Sequence, residues 1–326
     1  MNGNDESGLI VAYRLDGQGG GQPCDWAAIR AHQAGDGLLW VHLHRDADES
    51  QAWLREESAL DPLVVESLLA ESTRPHCSQV AGGVMLFLRA VNLNPGADPD
   101  DMVSIRLWIE PGRVISVRRR RLLSVDDMRV AIDEGRGPHD VADFVIQLAR
   151  RIGARMAGVI GDIDDHVDAL QGEVIESGSV TLRSKLTGLR RDIIALRRYL
   201  APQRDALLRF TQLKLAWFEE MDHLRLREEA DRITRYVEDL DAARERAAVA
   251  QEELSNRLTE QMNARMYVLS VVAAVFLPLG FLTGLFGINV GGIPLADDPW
   301  GFFEIVLLLC VITGLQLLLF KWRRWF

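Results

Sequence analysis

The chain has 326 residues and a formal net charge of −10, with three cysteines, Cys24, Cys77 and Cys310, that stand far apart and form no C-x-x-C pair. That length leaves room for two domains, the cysteine spacing excludes a disulfide scaffold or a zinc knuckle, and the acidic balance excludes nucleic acid as a partner while suiting cations. No P-loop, H-E-x-x-H, G-x-S-x-G or C-x-x-C pattern is present, so no enzyme is expected.

Met1 to Gly8 is polar and acidic, and no signal peptide is expected there. Residues 9 to 120 read as an α/β segment. Strands are predicted at Leu9–Leu15, Leu38–His44, Val84–Leu93, Val103–Ile109 and Val114–Arg118, the last two joined across a Pro111-Gly112 turn. Helices are predicted at Glu49–Glu57 and Pro62–Glu71, the second with Asp61 as N-cap and proline in first position. Gly17–Gly21 lacks the lysine and spacing of a phosphate-binding loop and reads as a flexible turn. His42 and His44 stand two apart on a strand, so they share a face and are candidate metal ligands. His76-Cys77 is a second candidate pair.

From Pro138 onward the pattern turns helical. Apolar residues three and four apart predict helices over Ala142–Ile175 and Leu182–Leu200. Asp162, Asp164, Asp165 and Asp168 crowd the first of these, either as a solvated face or as a cation sensor. Residues 203–265 hold no proline or glycine and much mixed charge, which predicts a long stalk helix entering the apolar stretch beyond it without a break. From about Glu220 to Ile288 such a helix would be on the order of 100 Å long.

After Arg265 the only charged residues are Asp297, Asp298, Glu304, Lys321, Arg323 and Arg324, which sum to zero. Met266 to Ile288 carries no charge at all, and its length of roughly 34 Å of helix crosses a bilayer core of about 30 Å. Phe302–Phe320 forms a second span with Glu304 near its start. The loop between them, Gly287–Gly301, has no Lys or Arg, whereas Arg257 and Arg265 precede the first span and Lys321, Arg323 and Arg324 follow the second. Both termini are therefore expected in the cytoplasm, with Trp300, Phe303, Trp322 and Trp325 as interfacial anchors. The expected division is a cytoplasmic α/β domain over 1–137, a helical region and stalk over 138–265, and a transmembrane domain over 266–326.

On a helix, Asn263, Met266, Ser270, Ala273 (or Ala274), Leu277, Gly280 and Gly284 share one narrow, small and weakly polar face. Gly280 and Gly284 form a G-x-x-x-G pair, which taken alone reads as a helix-dimerisation surface. Pro278 lies in the same span, where membrane helices tolerate proline if neighbours satisfy the freed carbonyl. The span closes on Gly287-Ile288-Asn289.

The stretch FLPLGFLTGLFGINVGGIP resembles the end of the first membrane helix in the CorA superfamily of divalent-cation channels and transporters, which is marked by a Gly-Met-Asn tripeptide. Gly-Ile-Asn in its place resembles the ZntB branch, zinc transporters of bacterial inner membranes. The segments DPLVVESLLAESTRPHC and VNLNPGADPDDMVSIRLWIEPGRVISVRRRRL are similar to that family as well, extending the likeness from about residue 38 to the end. The resemblance implies a homopentamer with an α/β cytoplasmic funnel in which the first spans line a pore and the second spans surround them. On that implication Gly287, Ile288 and Asn289 form the outer mouth, the face from Asn263 to Gly284 lines the pore, and Met266 and Leu277 constrict it. Close packing around an axis then displaces simple dimerisation as the reading of Gly280 and Gly284. Asp297, Asp298 and Glu304 would attract cations to the mouth. No cofactor is implied beyond the transported zinc, and the partners are further copies of the chain, the lipid bilayer and divalent cations. A magnesium, cobalt or nickel channel of the same superfamily, and a non-conducting stalked scaffold or sensor, are the competing readings.

Overall fold

The computed structural model describes residues 8–33, 35–80, 82–176, 179–288, 293–294 and 298–322. They fall into two compact units, Met1–Glu252 and Glu253–Phe326. The first unit is built on a seven-stranded sheet: β1 Leu9–Leu15, β2 Gly21–Pro23, β3 Leu38–His44, β4 His76–Val80, β5 Gly83–Ala90, β6 Val103–Glu110 and β7 Arg113–Arg118. Their order is β2-β1-β3-β7-β6-β5-β4, antiparallel throughout except for the parallel β3–β7 pair.

The central strands have to be apolar on both faces, because helices cover both. Leu39, Val41 and Leu43 of β3 join Ile115 and Val117 of β7 in a core with Trp53, Leu54, Val64 and Leu68. These last four come from α2 Asp48–Ala52 with the wide turn after it, Trp53–Glu57, and from α3 Pro62–Leu69. The intervening residues of β3 turn the other way, where Trp40 meets Phe144 of α5 (Val141–Glu176) edge-on at 5.2 Å. Asp61 caps α3 by accepting from the Leu63 N–H at 2.8 Å, as the Asp-Pro signal predicted.

Four short elements escaped the sequence reading: β2, β4, α1 Trp26–Ala31 and α4 Leu123–Asp133. The Gly17–Gly21 stretch is the β1–β2 hairpin connection, held by Asp16 Oδ1, which accepts from the N–H groups of Gln18 (2.7 Å) and Gly20 (3.0 Å). Gly17 and Gly19 both adopt positive φ there.

Three long helices complete the unit: α5, α6 Val180–Phe210 and the first part of α7 Glu220–Phe286. Their buried stripes repeat at three and four residues, as in Leu226, Ala230, Ile233, Val237 and Leu240 of α7. The expected unbroken run over 203–265 is corrected here: α6 ends at Phe210 and α7 starts at Glu220. Packing rather than a breaker residue sets that corner, since Phe218 meets Phe210 at 5.2 Å and His223 at 4.8 Å. Conversely, α6 continues ten residues past Leu200 and through Pro202. An interior proline costs about 3 kcal/mol, which burial of Leu207 and Phe210 beyond it, at roughly 1.5–3 kcal/mol each, offsets.

Charge pairs tie these helices together. Glu229, only 2 % exposed, faces Arg150 of α5 at 3.1 Å and Arg232 at 3.0 Å. Arg197 of α6 meets Asp241 of α7 at 2.6 Å. Of the four acids crowded on α5, Asp164 and Asp168 both pair with Arg246 of α7.

Candidate ion pathway in the first membrane helix

The second unit holds the end of α7 and helix α8, Gly301–Trp322, both long and apolar enough to cross a membrane. Each has one half-sheltered stripe. On α7 it is Val271, Val275, Leu279, Leu282 and Phe286; on α8 it is Ile305, Leu309, Ile312, Thr313, Gln316 and the buried Phe320. The other faces lie bare, with Leu277 72 % and Phe281 70 % exposed. At about 1.5–3 kcal/mol for each large apolar side chain left in water, such a pair is unstable outside lipid or an assembly.

At 3.6 residues per turn, the seven residues from Asn263 to Gly284 fall within an arc of about 100°, roughly opposite the sheltered stripe of α7. Six of them are exposed and Ala273 is half-buried. A Cβ added at Gly280 or Gly284 would meet nothing within 4 Å. Among the described residues of the single chain this face is open except at the half-buried Ala273. No His, Cys, Asp or Glu occurs from Met266 to Gly292.

Helix α7 ends two residues before the predicted Ile288. The Gly287 N–H closes it, donating to the Thr283 carbonyl at 3.0 Å and the Gly284 carbonyl at 3.1 Å. A Cβ at Gly287 would sit 3.1 Å from the Thr283 carbonyl oxygen, so glycine gives this turn its tight closure. Ile288 is exposed. Asn289 and Asp297 lie outside the described residues, as do the flanking Arg323, Arg324 and Trp325. Asp298 serves as a cap for α8, its Oδ1 accepting from the Trp300 N–H at 2.8 Å. Glu304 stands exposed in the first turn of α8, where the helix dipole favours an acid. Gln316 was not singled out in the sequence: it sits on the sheltered stripe with its Oε1 buried and, among the described residues, without a hydrogen-bond partner. The signal for it was a lone amide in an otherwise apolar span.

The candidate histidines belong to the sheet of the first unit. His42 is fully buried, and its Nδ1 lies 2.7 Å from Ser116 Oγ, which also accepts from Trp40 Nε1 at 2.8 Å and reaches the Val41 carbonyl at 3.3 Å. The tautomer with hydrogen on Nδ1 satisfies all three contacts together. His44 is half-buried at the strand's end. Among the described residues no three or more His, Cys, Asp or Glu side chains gather to hold a metal ion. His76 and Cys77 are adjacent on β4 and take opposite faces, His76 exposed and Cys77 buried. Burial pushes the Cys77 thiol up to about 12, so it stays protonated and is a poor metal ligand near neutrality.

Burial, and then the charges of Arg118, Arg129 and His44, hold the His42 imidazole well below its ordinary 6.5. In the unfolded chain it takes up a proton near that value, and in the folded one only at lower pH. Stability is therefore level above about pH 6.5 and falls below it, by up to about 1.4 kcal/mol per pH unit. His32, also depressed by burial, adds to the same slope. Thermal unfolding of the detergent-solubilised protein between about pH 6.5 and 5 is expected to show the decline, shallower in His42→Gln; an equal slope in the two proteins would contradict it.

Comparison with known proteins accounts for the whole arrangement. The sequence pattern of the family described as "CorA-like Mg2+ transporter protein" matches residues 35–323. The chain is 42 % identical over 325 residues to the divalent cation transporter CmaX of Pseudomonas aeruginosa, covering 98 % of both chains. It is 37 % identical over 309 residues to the zinc transport protein ZntB of Pectobacterium carotovorum, covering 94 % of this chain and 93 % of that one. The solved full-length CmaX structure superposes with a TM-score of 0.86 at 41 % identity, covering 99 % of this chain and 100 % of the other. A mixed-sheet domain, long helices, two membrane-spanning candidates and a Gly-Ile-Asn sequence following α7 thus occur together in a chain that belongs to the CorA-like family of divalent-cation transporters.

Proposed function

We propose that the protein carries zinc across a bacterial inner membrane as a homopentamer, with both termini in the cytoplasm and the first membrane helices lining the pore. The carrying observation is the bare, charge-free α7 face opposite its sheltered stripe. Asn263, Met266, Ser270, Ala273, Leu277, Gly280 and Gly284 line the path, with Met266 and Leu277 as apolar constrictions. Gly287, Ile288 and Asn289 form the outer mouth.

A ring of Asn289 amides would bond to the water shell of a dication without gripping the metal. Conduction requires that compromise, since an ion bound too well does not leave. Tight zinc sites use imidazole or thiolate, and the span has neither, so the ion passes hydrated. Asp297, Asp298 and Glu304, repeated around the mouth, would concentrate dications there.

Zinc is supported by the relatives named as zinc transport proteins. A broader cargo including magnesium, cobalt or nickel is favoured by the relative named only as a divalent cation transporter. The test is zinc entry into liposomes carrying the purified protein and a zinc-sensitive dye. Entry well above that of protein-free vesicles is expected; none, from folded and pentameric protein, would leave a non-conducting scaffold.

A further inference from the structure

One end of the sheet gathers six arginines around a small cavity of about 100 Å³: Arg45 after β3, Arg89 on β5, Arg106 on β6, and Arg118, Arg119 and Arg120 at the end of β7. Glu71 is the one carboxylate among the lining residues. Such a gathering is unexpected in a chain whose net charge is −10.

The rim and the floor of the cavity differ. At the rim, Arg119 pairs with Asp46 at 3.0 Å and Arg120 pairs with Asp101. On the floor, Arg106 is 5 % exposed, and its Nη1 donates to the Leu68 carbonyl at 2.6 Å. Arg89 donates from Nη1 to the Met102 carbonyl (2.9 Å) and from Nη2 to the Thr73 carbonyl (2.8 Å), while its buried Nε has no acceptor. Arg45, 9 % exposed, reaches the Ala70 and Glu71 carbonyls and shares Asp46 with Arg119.

Backbone carbonyls fix the direction of a guanidinium but do not neutralise it. Among the described residues neither Arg89 nor Arg106 has a carboxylate partner in an ion pair. Buried charges ordinarily have one, because desolvation is otherwise uncompensated. The strain is visible in Arg106, which burial, together with the neighbouring charges of Arg45 and Arg89, lowers to about 10. A bound anion would supply the missing counter-charge and offset that strain.

We propose that this pocket binds a phosphate-type oxyanion, free or as the terminal group of a larger phosphorylated molecule. Planar forks suit tetrahedral oxyanions because they bond bidentately, and the Ser104 hydroxyl lines the same cavity. The volume admits one phosphoryl group and leaves any attached organic part outside. The site is also joined to the long helices. The Arg89 N–H donates to Gln203 Oε1 of α6 at 2.6 Å, and its guanidinium lies 4.5 Å from the Tyr199 ring centre. Occupancy would therefore fasten the sheet end to α6.

The test is calorimetric titration of the full-length protein in detergent with inorganic phosphate at constant ionic strength, with ADP titrated in parallel. Saturable binding of one phosphate per chain is expected, weakened at least tenfold in Arg89→Gln and in the rim variant Arg119→Gln, and unchanged in Arg30→Gln, which is exposed and paired with Glu57 elsewhere. Tighter binding of ADP would assign the site to a phosphorylated metabolite, and equal or weaker binding to the free ion. Should Arg89→Gln fail to fold, Arg119→Gln decides alone. Absence of saturable binding, affinity equal in Arg119→Gln and the natural protein, or displacement by equimolar chloride would overturn the proposal. Subunit dissociation in Arg119→Gln without any phosphate binding would instead assign the pocket to a carboxylate of a neighbouring copy.

Discussion

Replacing Asn289 by alanine is expected to remove most zinc flux while leaving assembly and the sheet-bearing first unit intact. In a pentamer the change deletes five amides at once. A net hydrogen bond is worth about 0.5–1.5 kcal/mol, so five lost contacts to the ion's water shell amount to at least about 2.5 kcal/mol, on the order of a hundredfold in rate. The side chain fills no other role in the proposal, so thermal stability is expected to hold. Asn289→Asp separates amide chemistry from attraction alone: a ring of charges would hold the dication more tightly and slow its exit. Initial rates of dye-reported zinc entry measure both variants. Natural rates in Asn289→Ala would remove the residue from the pathway.

The second large effect is expected at Gly284. Among the described residues of one chain a Cβ there meets no atom within 4 Å, and leucine is the better helix former by nearly 1 kcal/mol. Gly284→Leu should therefore fold and insert as well as the natural protein if the monomer alone sets the cost. If five copies of this face converge, the added bulk clashes in each, at about 1–3 kcal/mol per overpacked site. The expected result is loss of the pentamer in native mass spectra and at least tenfold less flux, with unchanged unfolding of the sheet-bearing first unit. An intact pentamer with full flux would place some other face of α7 at the axis.

How much of this was legible in the sequence depended on which forces shaped each part. Strands β1 and β3 were legible at both ends because LIVAYRL and LLWVHLH are apolar runs of strand length. Strand β2 is three residues, GQP, and β4 reads HCSQV. Neither has an apolar pattern, and both exist because β1 and β5 offer them edges to pair with. The break between α6 and α7 has no proline or glycine to announce it, and an aromatic cluster formed by the fold creates it. The face proposed to line the pore stood out in the sequence because lipid demands an uncharged span, which leaves small and weakly polar residues conspicuous. The arginine pocket was invisible for the opposite reason. Its members are spread from Arg45 to Arg120, and only the register of β3, β5, β6 and β7 brings them together. His42 looked like half of a metal pair because spacing alone places it beside His44. Its hydrogen bond to Ser116, seventy-four positions away, could be seen only in the folded sheet.

Competition between zinc and magnesium for uptake into liposomes carrying the pentameric protein tests the central claim most directly. Protein-dependent zinc entry that persists when magnesium is present at equal concentration is the result expected of a zinc pathway through this pore. Zinc entry abolished by equimolar magnesium, or no entry from pentamers shown to be folded, would contradict it.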